Sequence, residues 1–224
     1  MLDTGNFVLY NNNSYVIWES FHFPTDTILG GQNLSSRGKL VSSVSSSDHS
    51  SGRFFLSMQL DGNLVAYPVN SSGEPDDSYW SSGIFNFGSQ LNLNHRGLLY
   101  LFFGGLTHTL ANSSYAGKND TTIFRATLDA DGIFRLYSHR FDTNLNSVVL
   151  IEWSGLQDQC EVNGFCSFNS YCSSMGTKSV CYCYPGFVFV EEFLRCSRNF
   201  QEDGCLAGKD PEMLYNITSI ENIR

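Results

Sequence analysis

Hydrophobic and polar residues alternate along residues 54–67. Every even-numbered position there is apolar or Gly, and the polar residues all fall on odd-numbered positions. A period of two residues is typical of a β-strand with one buried face. A two-residue hairpin loop at Asp-Gly would reverse the phase, so the unbroken alternation predicts either a continuous strand or a loop of odd length. Both alternatives place the same five side chains on one surface: Gln59, Asp61, Asn63, Val65 and Tyr67.

Similar segments with a turn between apolar stretches recur along the chain. They are LDTGNFVLY (2–10), LDGNLVAY (60–67), LNHRGLLY (93–100) and LDADGIFRLY (128–137), and the last three are spaced by 33 and 35 residues. No convincing helical periodicity lies between them. Because one such unit could not bury its own apolar face, the repeats predict a single all-β domain with approximate threefold internal repetition.

All seven cysteines lie between positions 160 and 205. The first six follow the spacing C-x5-C-x5-C-x8-C-x-C-x12-C, a unit too small to fold on a hydrophobic core alone, so disulfides are expected. Zinc is the competing interpretation, but Cys181 and Cys183 are too close to offer both sulfurs comfortably to one metal. Cys205 is left over, and we expect its partner to lie beyond Arg224.

Composition and charge narrow the class of protein. A formal net charge of −9 argues against nucleic-acid binding and against docking on anionic lipid. The most apolar run, residues 97–106, is far shorter than the ~20 residues that a membrane-spanning helix needs, and no signal peptide is evident, so we expect a fragment of a longer protein. The cysteine cluster and six glycosylation sequons predict an extracellular chain. The sequons are at Asn12, Asn33, Asn70, Asn112, Asn119 and Asn216.

Three features together resemble the ectodomains of plant G-type lectin receptor-like kinases, also called S-domain receptor kinases. QLDGNLVAY (59–67) matches the bulb-type mannose-lectin signature Q-x-D-x-N-x-V-x-Y at every fixed position. WESFHFPTDTILGGQ (18–32) is similar to the family's W-x-S-F-x-x-P-T-D-T block, and the order of the cysteines resembles an EGF-like domain. The resemblance implies an all-β lectin β-prism followed by a small disulfide-rich EGF-like module. It also implies one of the fifteen pairings that spacing leaves open, namely Cys160–Cys172, Cys166–Cys181 and Cys183–Cys196.

With this resemblance, the chain divides into four predicted segments. Residues 1–46 would be the C-terminal remnant of a first bulb-type lectin domain, followed by a flexible Ser-rich connector (42–51). Residues 47–156 would form a second lectin-like domain, 157–197 the EGF-like domain, and 198–224 the start of a truncated PAN-like region. A membrane span and a serine/threonine kinase domain are implied downstream, in parts of the parent that this chain does not contain.

The resemblance also implies roles for the five side chains. Gln59, Asp61 and Asn63 would bind the axial O2 region of mannose, Val65 would pack on the ring carbons, and Tyr67 would reach O4. Such a set of donors, acceptors and one apolar contact suits a neutral polyol. The other copies depart from the signature, so at most one site is complete. At equivalent spacing they offer Asn92, Asn94, Arg96, Leu98 and Tyr100, and Thr127, Asp129, Asp131, Ile133 and Arg135.

We therefore predict a non-catalytic recognition module that binds mannose-containing glycans on the extracellular side of the plasma membrane, or as a secreted fragment. We expect no cofactor, no metal site and no nucleic-acid partner, while receptor self-association is a further interaction to test. The alternative is a receptor ectodomain that senses a protein or another non-sugar ligand, with the lectin fold serving only as a scaffold. An enzyme is the weakest hypothesis, because no catalytic motif is evident and nothing places two carboxylates together.

Overall fold

Strands, turns and short 3₁₀-helices make up the residues that the computed structural model describes, which are 1–86, 88–114, 122–141, 147–175, 178–190 and 195–198. No α-helix occurs in these ranges, and the predicted all-β fold class is confirmed. The chain divides into two compact units, Met1–Gln157 and Asp158–Arg224. The 3₁₀-helices are Ser20–His22, Pro75–Asp77 and Gln159–Glu161.

Fourteen strands are described in the first unit, and twelve of them form three four-stranded antiparallel sheets. In chain order the strands are β1 (Val8–Tyr10), β2 (Val16–Glu19), β3 (Thr27–Leu29), β4 (Asn33–Leu34), β5 (Lys39–Ser43), β6 (Ser51–Met58), β7 (Leu64–Pro68), β8 (Trp80–Ser81), β9 (Gln90–Leu93), β10 (Leu98–Phe103), β11 (Leu106–Asn112), β12 (Thr122–Leu128), β13 (Phe134–Phe141) and β14 (Ser147–Ser154). Sheet I has the order β5-β6-β7-β8, sheet II β4-β9-β10-β11, and sheet III β3-β12-β13-β14. Strands β1 and β2 form a separate hairpin.

The central hairpin of each sheet has the same three-residue loop. In β6–β7, β9–β10 and β12–β13 the loop ends on a glycine with a positive φ, namely Gly62, Gly97 and Gly132. This left-handed conformation is one that glycine adopts without the steric cost of a Cβ. The three glycines are spaced by 35 residues, which confirms the threefold repetition. The sequence spacing of 33 residues, which aligns Leu60 with Leu93, is wrong by two residues, because Leu60 corresponds to His95.

The core lies between the inner faces of the three sheets, where every second residue of the central strands is apolar. Leu56, Leu64, Leu99 and Leu136 are fully buried, and they come from all three sheets. Because such side chains fill a close-packed interior, a Leu→Ala change at any of them should cost about 2–5 kcal/mol. The remaining members of this apolar core include Ile28, Leu40, Phe54, Met58, Ala66, Leu91, Leu93, Leu101, Phe124, Ala126, Leu128 and Phe134.

The structure has no domain boundary between residues 46 and 47, which corrects the predicted division. Strand β3 pairs with β12, β4 with β9, and β5 with β6, so each of these short strands completes a different sheet of the prism. Residues 1–46 therefore belong to the same unit as 47–157. The Ser-rich stretch 42–51 is also no flexible connector. It is the turn of the β5–β6 hairpin, with Ser42 fully buried and Val44 N donating to Ser50 O over 3.1 Å.

The second unit consists of two small hairpins and three disulfides. Strands β15 (Ser170–Met175) and β16 (Lys178–Cys183) pair, as do β17 (Phe187–Val190) and β18 (Arg195–Arg198). The disulfides are the three pairs that the resemblance implies: Cys160–Cys172, Cys166–Cys181 and Cys183–Cys196. Cys205 and the predicted PAN-like region lie outside the described residues, apart from position 198.

Candidate functional site

The β6–β7 hairpin carries all five signature residues. Phe55 lies opposite Tyr67, Ser57 opposite Val65, and Gln59 N donates to Asn63 O over 2.9 Å. The loop between them is residues 60–62, an odd number, so the alternation continues through the turn. The even-numbered side chains of the two strands enter the core, whereas Leu60 of the loop is exposed. By alternation Gln59, Asn63, Val65 and Tyr67 belong to the opposite face, and Asp61 is the middle residue of the loop between them.

Local contacts explain why the chain turns at Asp61 and Gly62. The Asp61 carboxylate accepts a hydrogen bond from Asn63 N over 3.0 Å, which is an Asx turn. Gly62 has a φ of 92°, and a Cβ built on it would lie 1.8 Å from the Asn86 carbonyl oxygen. A residue other than glycine therefore fits neither the backbone conformation nor the space.

The Tyr67 hydroxyl is already engaged within the protein. Gln59 Nε2 donates to Tyr67 Oη over 2.8 Å, and the Tyr67 ring stacks on Phe55 with centroids 5.2 Å apart. Only 2% of Tyr67 is exposed. Burial raises the pKa of the phenol, the hydrogen bond from Gln59 lowers it in part, and nearby carboxylates raise it further. The phenol is therefore neutral at physiological pH, and a sugar would have to compete with Gln59 for it.

Asn63 has a structural role that is repeated elsewhere in the chain. Its side chain is buried, and its Oδ1 accepts hydrogen bonds from Ser82 Oγ (2.9 Å) and Gly83 N (3.1 Å). In the β1–β2 hairpin, the Oδ1 of Asn6 accepts from Ser20 Oγ and from the next backbone N–H at 3.1 and 3.2 Å. Both serines close a W-x-S triplet. Each asparagine thus fixes the last residue of its W-x-S triplet and the residue that follows it.

A long loop, residues 69–79, joins β7 to β8 beside the signature face. The corresponding connection in sheet II, between β10 and β11, is only Gly104-Gly105. Pro75 lines the same depression of about 550 Å³ as Gln59 and Asp61, and the charges of Asp77 and Glu74 act on the Tyr67 phenol. The loop therefore lies next to the signature residues.

Accessibility differs among the five positions. Asn63, Val65 and Tyr67 are buried, while Gln59 and Asp61 are half-buried and line the depression. A sugar entering this depression would meet Gln59 and Asp61 directly. Contact with the other three would require the groups that bury them to move.

The other sheets carry different side chains at the equivalent positions. The 35-residue register gives Asn94, Arg96, Leu98, Tyr100 and Phe102 in sheet II, and Asp129, Asp131, Ile133, Arg135 and Tyr137 in sheet III. Both sets are shifted by two residues from those predicted. The prediction aligned the segments on the Leu-Asp or Leu-Asn dipeptide with which each begins, whereas the glycine turns fix the register.

An internal ion pair fills the equivalent place in sheet III. Arg135 stands at the position of Val65 and contacts Asp129 at 2.6 Å and Asp131 at 2.8 Å. Tyr137 Oη donates to the Asp129 carboxylate over 2.6 Å. Burial alone would lower the pKa of Arg135, but its hydrogen bonds to the two carboxylates raise it overall. The Asp129 and Asp131 carboxylates are thus bound by protein groups.

Two basic residues beside the signature were missed from the sequence. Arg37 and Lys39 line the depression that Gln59 and Asp61 also line. They precede the signature by about twenty residues and reach it only through the pairing of β5 with β6, which no local pattern reports. The Lys39 ammonium lies 4.6 Å from the centroid of the Phe55 ring.

The remaining predicted features are placed as follows. Asn12, Asn33, Asn70 and Asn112 are exposed, and the sequons at 119 and 216 lie outside the described residues. The part of the chain that the structure describes contains no group of three or more His, Cys, Asp or Glu side chains arranged to bind a metal ion. Among the same residues, no helix has the length and apolarity needed to cross a membrane.

The fold and the hairpin define the class: a bulb-type lectin β-prism followed by a disulfide-rich module. Residues 79–191, half of the chain, match the S-locus glycoprotein domain. The chain therefore belongs to the S-locus glycoprotein domain family. It is 36% identical to the G-type lectin S-receptor-like serine/threonine-protein kinase LECRK3 of Oryza sativa subsp. indica over all of this chain, and 32% identical to LECRK4 of subsp. japonica. The chain spans 30% of the length of each of these relatives.

Solved lectin structures are similar to more than half of this chain. Monomeric monocot mannose-binding lectins from Gastrodia elata match 58% of this chain and 96% of theirs, with 20% identity and a TM-score of 0.40. The mannose-specific snowdrop agglutinin, from Galanthus nivalis, matches 56% of this chain and 88% of its own, with 19% identity and a TM-score of 0.34.

Proposed function

We propose that this chain is an extracellular carbohydrate-binding module of a receptor-like kinase, with a mannose-type site at the β6–β7 hairpin. The observation that supports the proposal is that Gln59 and Asp61, two of the polar signature residues, line one depression beside the β6–β7 hairpin. Gln59 offers an amide and Asp61 a carboxylate at the edge of an open depression, which suits the hydroxyl groups of a neutral sugar. The chain itself would be non-catalytic, and any kinase activity would belong to the parent protein.

The expected affinity for a single sugar is low. Four hydrogen bonds at about 1 kcal/mol net each correspond to a dissociation constant of about 1 mM at best, and the cost of association weakens binding further. Useful recognition therefore needs several sites at once, through clustered glycans or through self-association of the receptor. Both arrangements fit a receptor on the extracellular side of the plasma membrane.

A second candidate is a scaffold that senses a protein or another non-sugar ligand. The burial of Asn63, Val65 and Tyr67 favours it, because these side chains already have partners within the protein. In this case the signature would persist for the stability of the hairpin, and the ligand would bind elsewhere.

The test is binding of the oxidised chain to immobilised, clustered mannose-terminated glycans. The variant is Asp61→Asn, which keeps the oxygen that accepts from Asn63 N but removes the charge. The matched control is Asp48→Asn, in the turn at the far end of β6, about 26 Å away at the rise of a β-strand. Binding that Asp61→Asn removes and Asp48→Asn keeps would support the carbohydrate site.

A loop variant separates the two candidates. Replacing residues 71–77 by Gly-Gly shortens the loop from eleven residues to six. By opening the approach to Tyr67, this change should strengthen mannose binding. If neither the parent nor this variant binds glycans, while both retain the circular dichroism of the folded chain, the scaffold function is favoured.

A further inference from the structure

We propose that the depression beside the signature contains a subsite for a carboxylate, formed by Arg37 and Lys39, so that the ligand is an acidic saccharide containing uronic acid. The inference rests on the proposed carbohydrate function and names the class of sugar. A neutral ring would contact Gln59 and Asp61, and the carboxylate of the same or the next ring would contact the two basic side chains.

Backbone hydrogen bonds fix the two basic residues beside the signature. Arg37 N donates to Met58 O over 2.7 Å, and Met58 N donates to Gly38 O over 2.9 Å. Lys39 lies opposite Ser57 in the β5–β6 ladder. Residues 37–39 therefore run antiparallel to 57–59, and their side chains line one depression with Gln59 and Asp61. Its volume, about 550 Å³, lies within the 300–1,000 Å³ typical of small-ligand sites.

Neither Arg37 nor Lys39 forms an ion pair with a described residue, unlike two arginines of sheet III. There Arg135 pairs with two aspartates and Arg140 with Glu152. The Lys39 ammonium lies over the Phe55 ring, which stacks on Tyr67, so aromatic contacts fix its position at the edge of the signature face. Two cations that have no carboxylate partner within the described part of the chain therefore border the depression.

The backbone at Arg37 is strained. Its φ is 68°, a left-handed conformation that glycine or asparagine adopts far more readily than arginine. The turn is closed by Gly38 N donating to Ser35 O over 2.8 Å. Because the fold by itself would favour Gly or Asn at this position, the arginine has no evident structural advantage. Residues retained in such conformations are concentrated at functional sites.

Charge is distributed unevenly across the depression. Asp61 lies on the signature side, and Glu74 and Asp77 of the loop act on the neighbouring Tyr67, whereas Arg37 and Lys39 lie on the β5 side. A fully anionic ligand would meet repulsion on the first side and attraction on the second. A saccharide with neutral hydroxyls at one end and a carboxylate at the other matches both sides.

The experiment compares four oligosaccharides of equal length for binding to the oxidised chain by biolayer interferometry. They are a galacturonic acid oligomer, its methyl ester, a mannose oligomer and a sulfated neutral oligomer. We expect the acid to bind about tenfold more tightly than its ester, the gain from two exposed charge pairs of up to ~1 kcal/mol each. Adding salt should reduce this difference.

The variant combines Arg37→Asn with Lys39→Gln, and Arg37→Asn also suits the left-handed backbone. Its control is Arg96→Glu, an exposed residue of the sheet II loop, which changes the net charge by the same two units. The double variant should lose the preference for the acid over its ester, and the control should keep it. Circular dichroism of each variant verifies the fold.

Several results would overturn the subsite, and they are distinguishable from failure of the proposed function. Equal binding of acid and ester, or a preference that survives in the double variant, removes the subsite but leaves the carbohydrate function if mannose binding depends on Asp61. Equal binding of the sulfated and uronic acid oligomers overturns the assignment to carboxylates in favour of anions generally. If none of the four binds, both proposals fail.

Discussion

Replacing Asn63 by Ala should destabilise the first unit even though Asn63 belongs to a sugar-binding signature. Only 6% of the residue is exposed, and its Oδ1 accepts two hydrogen bonds, from Ser82 Oγ at 2.9 Å and from Gly83 N at 3.1 Å. Each is worth about 1 kcal/mol net, so the free energy of unfolding should fall by about 2 kcal/mol. In a unit of this size the melting temperature should fall by about 4–8 °C.

Urea unfolding followed by tryptophan fluorescence measures this change. Trp80 and Trp153 are in edge-to-face contact at 6.1 Å in the first unit, so their emission reports its unfolding. The control is Asn70→Ala, at an exposed position. Asn6→Ala removes the same pair of acceptor bonds in the β1–β2 hairpin and should also be destabilising. If Asn63→Ala unfolds at the urea concentration of the parent while sugar binding is lost, Asn63 is a ligand and the structural reasoning is wrong.

Three further changes test the turn, the acid sensitivity and the disulfides. Gly62→Ala should cost more than ~3 kcal/mol in urea unfolding, because a Cβ would lie 1.8 Å from the Asn86 carbonyl oxygen, whereas Gly73→Ala, with a similar φ in open space, should cost only about 1 kcal/mol. Burial alone would raise the pKa of Glu152, but its hydroxyl and guanidinium donors lower it overall. The stability contributed by this carboxylate should therefore be present above about pH 4.5 and lost as the pH falls below it, and Glu152→Gln should flatten the decline in melting temperature between about pH 5 and pH 3. Reduction with dithiothreitol should unfold the second unit, at ~2–4 kcal/mol per bridge, and leave the tryptophan emission of the cysteine-free first unit unchanged; a loss of both would show that the units fold together.

The strands and turns of the central hairpins could be predicted because their signals are local. Alternation through Gly62 excluded a two-residue loop, and the loop has three residues. The short strands β3, β4 and β5 could not be predicted in the same way. They have two to five residues each and pair with strands up to 100 positions away, as Thr27 does with Thr127. Pairing over such distances has no periodic signal, which is why residues 1–46 were assigned to a separate domain.

The candidate site also has parts that the sequence predicts and parts that it does not. Its five residues could be predicted from one segment. The approach of loop 69–79 to this site could not be predicted, because the loop has the Ser, Gly, Glu, Pro and Asp composition of a solvated turn. Only the structure shows that Pro75 lines the depression. Arg37 and Lys39 were missed because their approach depends on the β5–β6 register.

The β1–β2 hairpin shows which parts of the signature are informative about ligands. At the five positions it has Leu2, Thr4, Asn6, Val8 and Tyr10, so it keeps the asparagine, valine and tyrosine but neither the glutamine nor the aspartate. Asn6 also makes the same hydrogen bonds as Asn63. Side-chain packing and hydrogen bonds to the backbone can therefore account for three of the five matches to the signature. Gln59 is the one match that no structural repeat shares. Asp61 recurs as Asp131 of sheet III, but Arg135 pairs with Asp131, whereas Asp61 lines the open depression together with Gln59. The evidence for sugar binding rests on these two residues, and substitutions there, rather than at Asn63 or Tyr67, separate binding from folding.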